Sequence, residues 1–200
     1  MSALPAAVAL PHRAVLADAL PGARTRDAVL VLTGALLTAL LAQVAIPVPP
    51  SPVPITGQTL AVGLVGATLG ARRGVAAMLL YVLLGLFLPF FSEGGSGLDV
   101  VFGASGGYII GFVFAAGLIG YLAERGADRK VVLAFLAFVA GQLVIFAFGL
   151  VGLKLSVGDS WSWTIHNGFA IFIVGGLIKA MIGALALPGA WRLVRRFEAR

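Results

Sequence analysis

The sequence predicts an all-α membrane protein of six transmembrane helices, with both termini on the cytoplasmic side of the cell's inner (cytoplasmic) membrane. Three observations carry this. Of 200 residues, 60% are hydrophobic and 11% charged, with a mean hydropathy of +1.05, whereas a soluble domain carries about 25% charged residues. Apolar runs recur along the chain between short polar turns, several near the roughly 20 residues that span a bilayer core. The charges alternate from turn to turn. Every arginine lies in the N-terminal segment, the 72–73 turn, the 124–130 turn or the C-terminal segment, whereas the loops at 47–57, 92–102 and 154–163 share one lysine and three acids. Lys and Arg concentrate on the cytoplasmic side, so the net charge of +6 reflects topology and not nucleic-acid binding. The expected organisation is a cytoplasmic tail at 1–27, a six-helix bundle at 28–191 and a basic tail at 192–200. The first 26 residues show no compact secretory leader pattern. With no cysteine, and with His12 and His166 far apart, the chain offers no pattern for a disulfide framework or a metal centre.

Taken in order, residues 1–27 mix Ala, Leu and Pro with Arg13, Arg24 and Arg26, which reads as a loosely ordered or surface-lying tail. The first span, 28–46, carries Ala35 and Ala39 at small-xxx-small spacing, with Gly34 and Thr38 beside them. Such a stripe admits another helix at close range, belonging either to a partner or to the same bundle. Five prolines fall within residues 47–54, which makes a stiff, extended, uncharged loop. The helix that follows, 58–71, is too short to cross about 30 Å at about 1.5 Å per residue. Either it tilts into a thinned region or the proline segment dips inward to meet it. Irregular backbone at membrane depth is tolerated only where protein or a wet cavity surrounds it. Residues 47–58 are therefore a candidate cavity wall, with Thr56 and Gln58 as ligand contacts or as helix caps.

The third span, 74–91, is centred on Tyr81, and the glycine-rich, acidic 92–99 loop is either a flexible connector or a lid. The fourth, 103–122, opens in GASGGYIIGF. Its glycines serve close packing or leave N–H groups for a ligand; with no Lys-Ser/Thr after them they form no P-loop. The fifth, 131–153, holds Gln142 as its main polar residue, and Asp159, Trp161 and Trp163 then suit an interfacial belt. The last span, 164–191, reads as one long apolar helix whose single charge, Lys179, sits near its middle. An ammonium at that depth costs about 3 kcal/mol even on insertion scales, and it lies too far from either polar end to snorkel. A partner carboxylate is the structural alternative, but every Asp and Glu falls in a tail or loop. Lys179 is therefore read as lining a polar cavity and meeting an anion from outside the chain.

PVPITGQTLAV, YVLLG…LP, GASGGYIIGF and GFAIFIVGGLIKA, in this order over about 48–180, resemble the BioY family of biotin-binding S-components of energy-coupling-factor (ECF) vitamin transporters. The resemblance implies an S-component bundle, biotin as transported ligand, no resident cofactor, and a membrane scaffold subunit with two ATPase subunits as partners. It also implies that Ala35 and Ala39 dock the scaffold. No Walker A pattern is present in this chain. Biotin has a carboxylate tail and a ureido ring, so its site needs a cation and a set of polar groups. Lys179 supplies the first; Gln58, Tyr81 and Tyr108 are candidates for the second. The chain also departs from the family pattern. Where the family usually shows Gly-Asp-x-x-Lys, Gly176 replaces the acid and Lys179 remains. Gly95 aligns near an asparagine often found in the outer loop, Ala104 stands where a proline is usual, and a glycine before Leu88 is missing. An S-component for another small carboxylate-bearing vitamin is the alternative within this fold. A membrane enzyme would need paired titratable groups inside the bundle, and the sequence offers only Lys179.

Overall fold

The computed structural model describes residues 15–20 and 24–198. Over these residues the α-helices are α1 (Arg24–Ala42), α2 (Gln58–Leu69), α3 (Ala71–Gly85), the single turn α4 (Leu98–Val101), α5 (Gly106–Glu124), α6 (Val131–Val157), α7 (Trp161–Gly168) and α8 (Ile173–Glu198), with two short strands, β1 (Ala45–Ile46) and β2 (Ile55–Thr56). Among the described residues, α1, α5, α6 and the 161–196 stretch are long and apolar enough to cross a membrane. At about 1.5 Å per residue, α2 and α3 reach only about 18 and 22 Å.

α1 is two-faced in the way a 3.6-residue period demands. Val29, Leu32, Leu36 and Leu40 are exposed, and Gly34, Ala35, Thr38, Ala39 and Ala42 are buried. A Cβ on Gly34 would stand 3.0 Å from Val65 Cγ1 and 3.1 Å from the Ala77 Cβ, so this face closes on α2 and α3. Ala35 and Ala39 are 0% and 6% exposed. In the isolated chain the small-residue stripe thus packs within its own bundle.

Residues 45–56 form a small antiparallel hairpin, with Ala45 opposite Thr56 and Ile46 opposite Ile55. It seats against the start of α2, and the Thr56 carbonyl reaches Lys179 in α8. The proline-rich segment thus packs in against α2 and α8. α2 hands over to α3 at Gly70, whose φ of +84° lies in the left-handed region and favours glycine. Glu124 caps the new helix there by accepting from the Ala71 N–H at 2.8 Å.

α3 stops at Gly85, earlier than the periodicity predicts, because the chain folds back. Phe91 is buried against Gly85 and meets Tyr81 edge-on at 5.6 Å. The Gly97 N–H donates to the Gly85 carbonyl at 2.9 Å. Gln43 clasps the same loop, donating to the Phe91 carbonyl at 3.1 Å and accepting from the Gly94 N–H at 3.1 Å. The 92–99 loop is therefore anchored at several points and is no free connector.

At the centre, the Phe138 ring slots between α2 and α8. A Cβ on Gly63 or Gly183 would fall 2.2 or 2.3 Å from it, so both glycines are needed to let the ring in. α5 and α6 meet backbone to backbone, Gly107 against Gly152.

The last span is not one helix. α7 ends at Gly168, Phe169 leaves helical geometry at φ −135°, ψ −59°, and a 3-10 turn over Ala170–Phe172 precedes α8. Asn167-Gly168 is a turn-favouring pair at the point where the helix stops. α8 then runs on to Glu198, so most of the basic tail is helical, with Arg192, Arg195 and Arg196 exposed. Part of the expected N-terminal tail is also packed. Val15 and Ala17 are buried, Asp18 is bridged to Arg73 at 2.6 Å, and Arg24 and Arg26 already belong to α1. Residues 1–14, 21–23 and 199–200, which include His12 and Arg13, lie outside the described residues.

Candidate functional site

A cavity opens where the hairpin, α2, α5, α6 and α8 converge. It is lined by Val53, Pro54, Thr56, Gln58 and Thr59 on one side, and by Ser105, Tyr108, Ile109, Phe112, Gln142, Ile145 and Phe146 on the other. Ser92, Phe172, Gly176 and Lys179 complete it. Its volume is about 50 Å³, whereas sites for drug-sized molecules run to about 300–1,000 Å³. A ligand of that size therefore needs the walls to part.

The polar groups gather round α8. Gly176 and Lys179 are three residues apart and so share a helix face. Lys179 Nζ donates to the Thr56 carbonyl at 2.6 Å and to Thr59 Oγ1 at 3.0 Å. An ammonium has three protons, so one remains for a ligand. Among the described residues that line the cavity, Lys179 alone is charged. No cluster of His, Asp or Glu suited to a metal ion occurs among the described residues.

Gln58 is held at both ends of its amide. Its Oε1 accepts from the Thr56 hydroxyl at 2.7 Å and its Nε2 donates to the Tyr81 hydroxyl oxygen at 2.6 Å. Tyr81 in turn donates to the Phe90 carbonyl at 3.3 Å. Tyr81 is fully buried and stands behind Gln58 without lining the cavity. Tyr108 does line it; its hydroxyl donates to the Gly168 carbonyl at 2.8 Å, the acceptor freed where α7 breaks. Phe146 lies edge-on to Tyr108 at 6.4 Å and to Phe169 at 4.9 Å. The helix break thus builds the aromatic wall.

Of the residues singled out from sequence, Lys179, Gln58, Tyr108 and Gly176 come together at the cavity. Gly95 does not reach it; its loop is represented there by Ser92. Sequence reasoning gave Thr59 and Gln142 no place in the site. Thr59 follows Gln58 directly, but adjacent residues of a helix do not face the same way, so its position gave no signal. Gln142, the lone polar residue of its span, donates through Nε2 to the Gly176 carbonyl at 2.8 Å.

Comparisons with known proteins bear on the family and the fold. The model of the BioY family matches residues 12–196. Biotin transporter BioY2 of Lactococcus lactis subsp. cremoris (strain MG1363) is 38% identical over 154 residues, covering 76% of this chain and 83% of that protein. Biotin transporter BioY of Rhizobium etli (strain ATCC 51251 / DSM 11541 / JCM 21823 / NBRC 15573 / CFN 42) is 38% identical over 173 residues, covering 80% and 90%. A solved structure of the S-component for biotin from an ECF-type ABC transporter superposes with a TM-score of 0.75 at 22% identity, covering 88% of this chain and 92% of that one; this likeness speaks to the fold. With the family model spanning nearly the whole sequence, the chain belongs to the BioY family.

Proposed function

We propose that this chain is the substrate-binding S-component of an ECF-type transporter, and that it takes biotin from the outer side of the cytoplasmic membrane into the cavity beside Lys179. The single observation that carries the reading is a cavity between the helices whose one charged lining residue, among those described, is a lysine with a proton to spare. A carboxylate that reaches Nζ completes its third hydrogen bond and neutralises its charge. Such charge-assisted bonds are the strong ones in a low-dielectric site. Phe112, Phe146 and Phe172 offer an apolar enclosure for the remainder of the ligand. Relatives bearing the name biotin transporter, at 38% identity, support biotin as that ligand.

The same reading holds that six helices span the membrane, α2 and α3 as a half-length pair completed by the hairpin, with both termini cytoplasmic. Energy comes from partner subunits, a membrane scaffold and ATPases. The test has two parts: calorimetric titration of the purified protein with biotin, and uptake of labelled biotin by cells making the chain with and without those partners. Binding together with partner-dependent uptake is expected. Titration against other carboxylate-bearing vitamins addresses the alternative, which Gly176 favours by lacking the acid usual in the family. Tighter binding of one of these would replace biotin in the reading.

A further inference from the structure

Gln142 and Gly176 share one space. Gln142 Nε2 donates to the Gly176 carbonyl at 2.8 Å, and Oε1 lies 2.1 Å from where a Cβ on residue 176 would stand. Any side chain at 176 would displace this rotamer, so Gln142 occupies the position that a residue-176 side chain would take. The amide orientation follows from its own bond, because exchanging O and N would set two acceptors against each other. Oε1 is therefore the end left open, and no donor among the described residues is bonded to it. The polar groups of the hairpin and α2 are already engaged. Both ends of the Gln58 amide are satisfied, and the Thr56 carbonyl and Thr59 hydroxyl hold Lys179.

We propose that Gln142 is a specificity-determining residue of this site, its Oε1 accepting a hydrogen bond from an N–H of the ligand's amide-like head; this rests on the biotin reading above. A neutral acceptor here differs from a carboxylate in one consequence. It reads an N–H without pairing with Lys179, so the full lysine charge stays available to a ligand anion. The combination selects molecules that carry both a carboxylate and a neutral N–H group, and gives no counter-charge to a cationic head.

The experiment titrates wild type, Gln142→Met and the double variant Gln142→Ala/Gly176→Asp with biotin and with the two biotins methylated at one or the other ureido nitrogen. Wild type should bind biotin about 10- to 100-fold more tightly than one of the methylated forms, the range for leaving a buried acceptor unpaired. In Gln142→Met, of similar length and without an acceptor, that ratio should fall to about 3-fold or less. In the double variant, where an aspartate enters the space that Gln142 leaves, the ratio should be restored. A thermal melt in detergent confirms that each variant is folded, and the double variant supplies a folded comparison if the single one is not. Wild type that fails to bind biotin removes the preceding reading. Wild type that binds biotin, with Gln142→Met showing the same discrimination, refutes the role of Gln142 alone.

Discussion

Replacing Lys179 by Met is the substitution on which the functional reading turns, and the structure bounds its effect. Within the chain Nζ makes two hydrogen bonds, to the Thr56 carbonyl and the Thr59 hydroxyl, each worth about 1 kcal/mol net, or somewhat more because the donor is charged. Against them stands the cost of burying an ammonium with no carboxylate partner, several kcal/mol after relaxation. The two effects oppose each other, so Lys179→Met should leave the melting temperature in detergent near that of wild type. Methionine fills a similar volume. Binding is a different matter, because the ligand's carboxylate would then be buried without its counter-charge. Truncating one partner of a buried, hydrogen-bonded charge pair costs about 2–5 kcal/mol, or roughly 30- to 4,000-fold in Kd. The assay is calorimetric titration with biotin and with its neutral methyl ester. Wild type should prefer the acid strongly, and Lys179→Met should bind both alike and weakly. Equal biotin affinity in the two proteins, or an unchanged preference for acid over ester, would refute the anchor.

Three further predictions follow from packing, charge and topology. Ala35 is fully buried, so Ala35→Leu should overpack α1 against its own bundle and cost about 1–3 kcal/mol, lowering the melting temperature and ligand binding together; a loss of energised uptake with binding intact would instead place a partner on this stripe. Burial holds the Asp128 carboxyl above the usual carboxylate range, although the Trp191 indole N–H and the charge of Arg129 pull it down. The folded state then keeps this proton more tightly than the unfolded one, so stability falls as pH rises through the shifted pKa and stays lower above it. Asp128→Asn should therefore melt higher than wild type at pH 7.5 and lose that advantage near pH 4; an advantage independent of pH would contradict the sign. Reporter fusions at Arg72 and Gly126 should read cytoplasmic, and those at Gly95 and Asp159 external, a reversed signal at either inner turn ending the proposed orientation.

What could be read from the sequence, and what could not, divides by the range of the interaction involved. Hydropathy and the placement of arginines are averages over whole segments, so the membrane class and the order of helices were legible. A lone charge in an apolar run is conspicuous for the same reason, and Lys179 does line the cavity. The run from Thr164 to Trp191 was read as one helix because its apolarity is continuous; the local break at Gly168 was signalled only by Asn167 before it. The spacing of Ala35 and Ala39 states that something comes close, but not whose helix it is; in the isolated chain this face is buried in its own bundle, and the Ala35→Leu experiment tests for a partner there. Gly176 shows the limit most plainly. Along the chain it reads as a side chain lost from the site. In the structure the space is filled from α6 by Gln142, 34 residues away in sequence, whose amide rests on the Gly176 carbonyl and whose oxygen lies where that side chain would begin. Neither residue alone carries this information, since Gln142 in isolation is one polar group in a span and Gly176 one small residue in another. Their complementarity is a property of the pair. It changes the consequence of restoring an acid at 176: Gly176→Asp alone must first expel Gln142, so it tests a collision, whereas the double variant tests the chemistry.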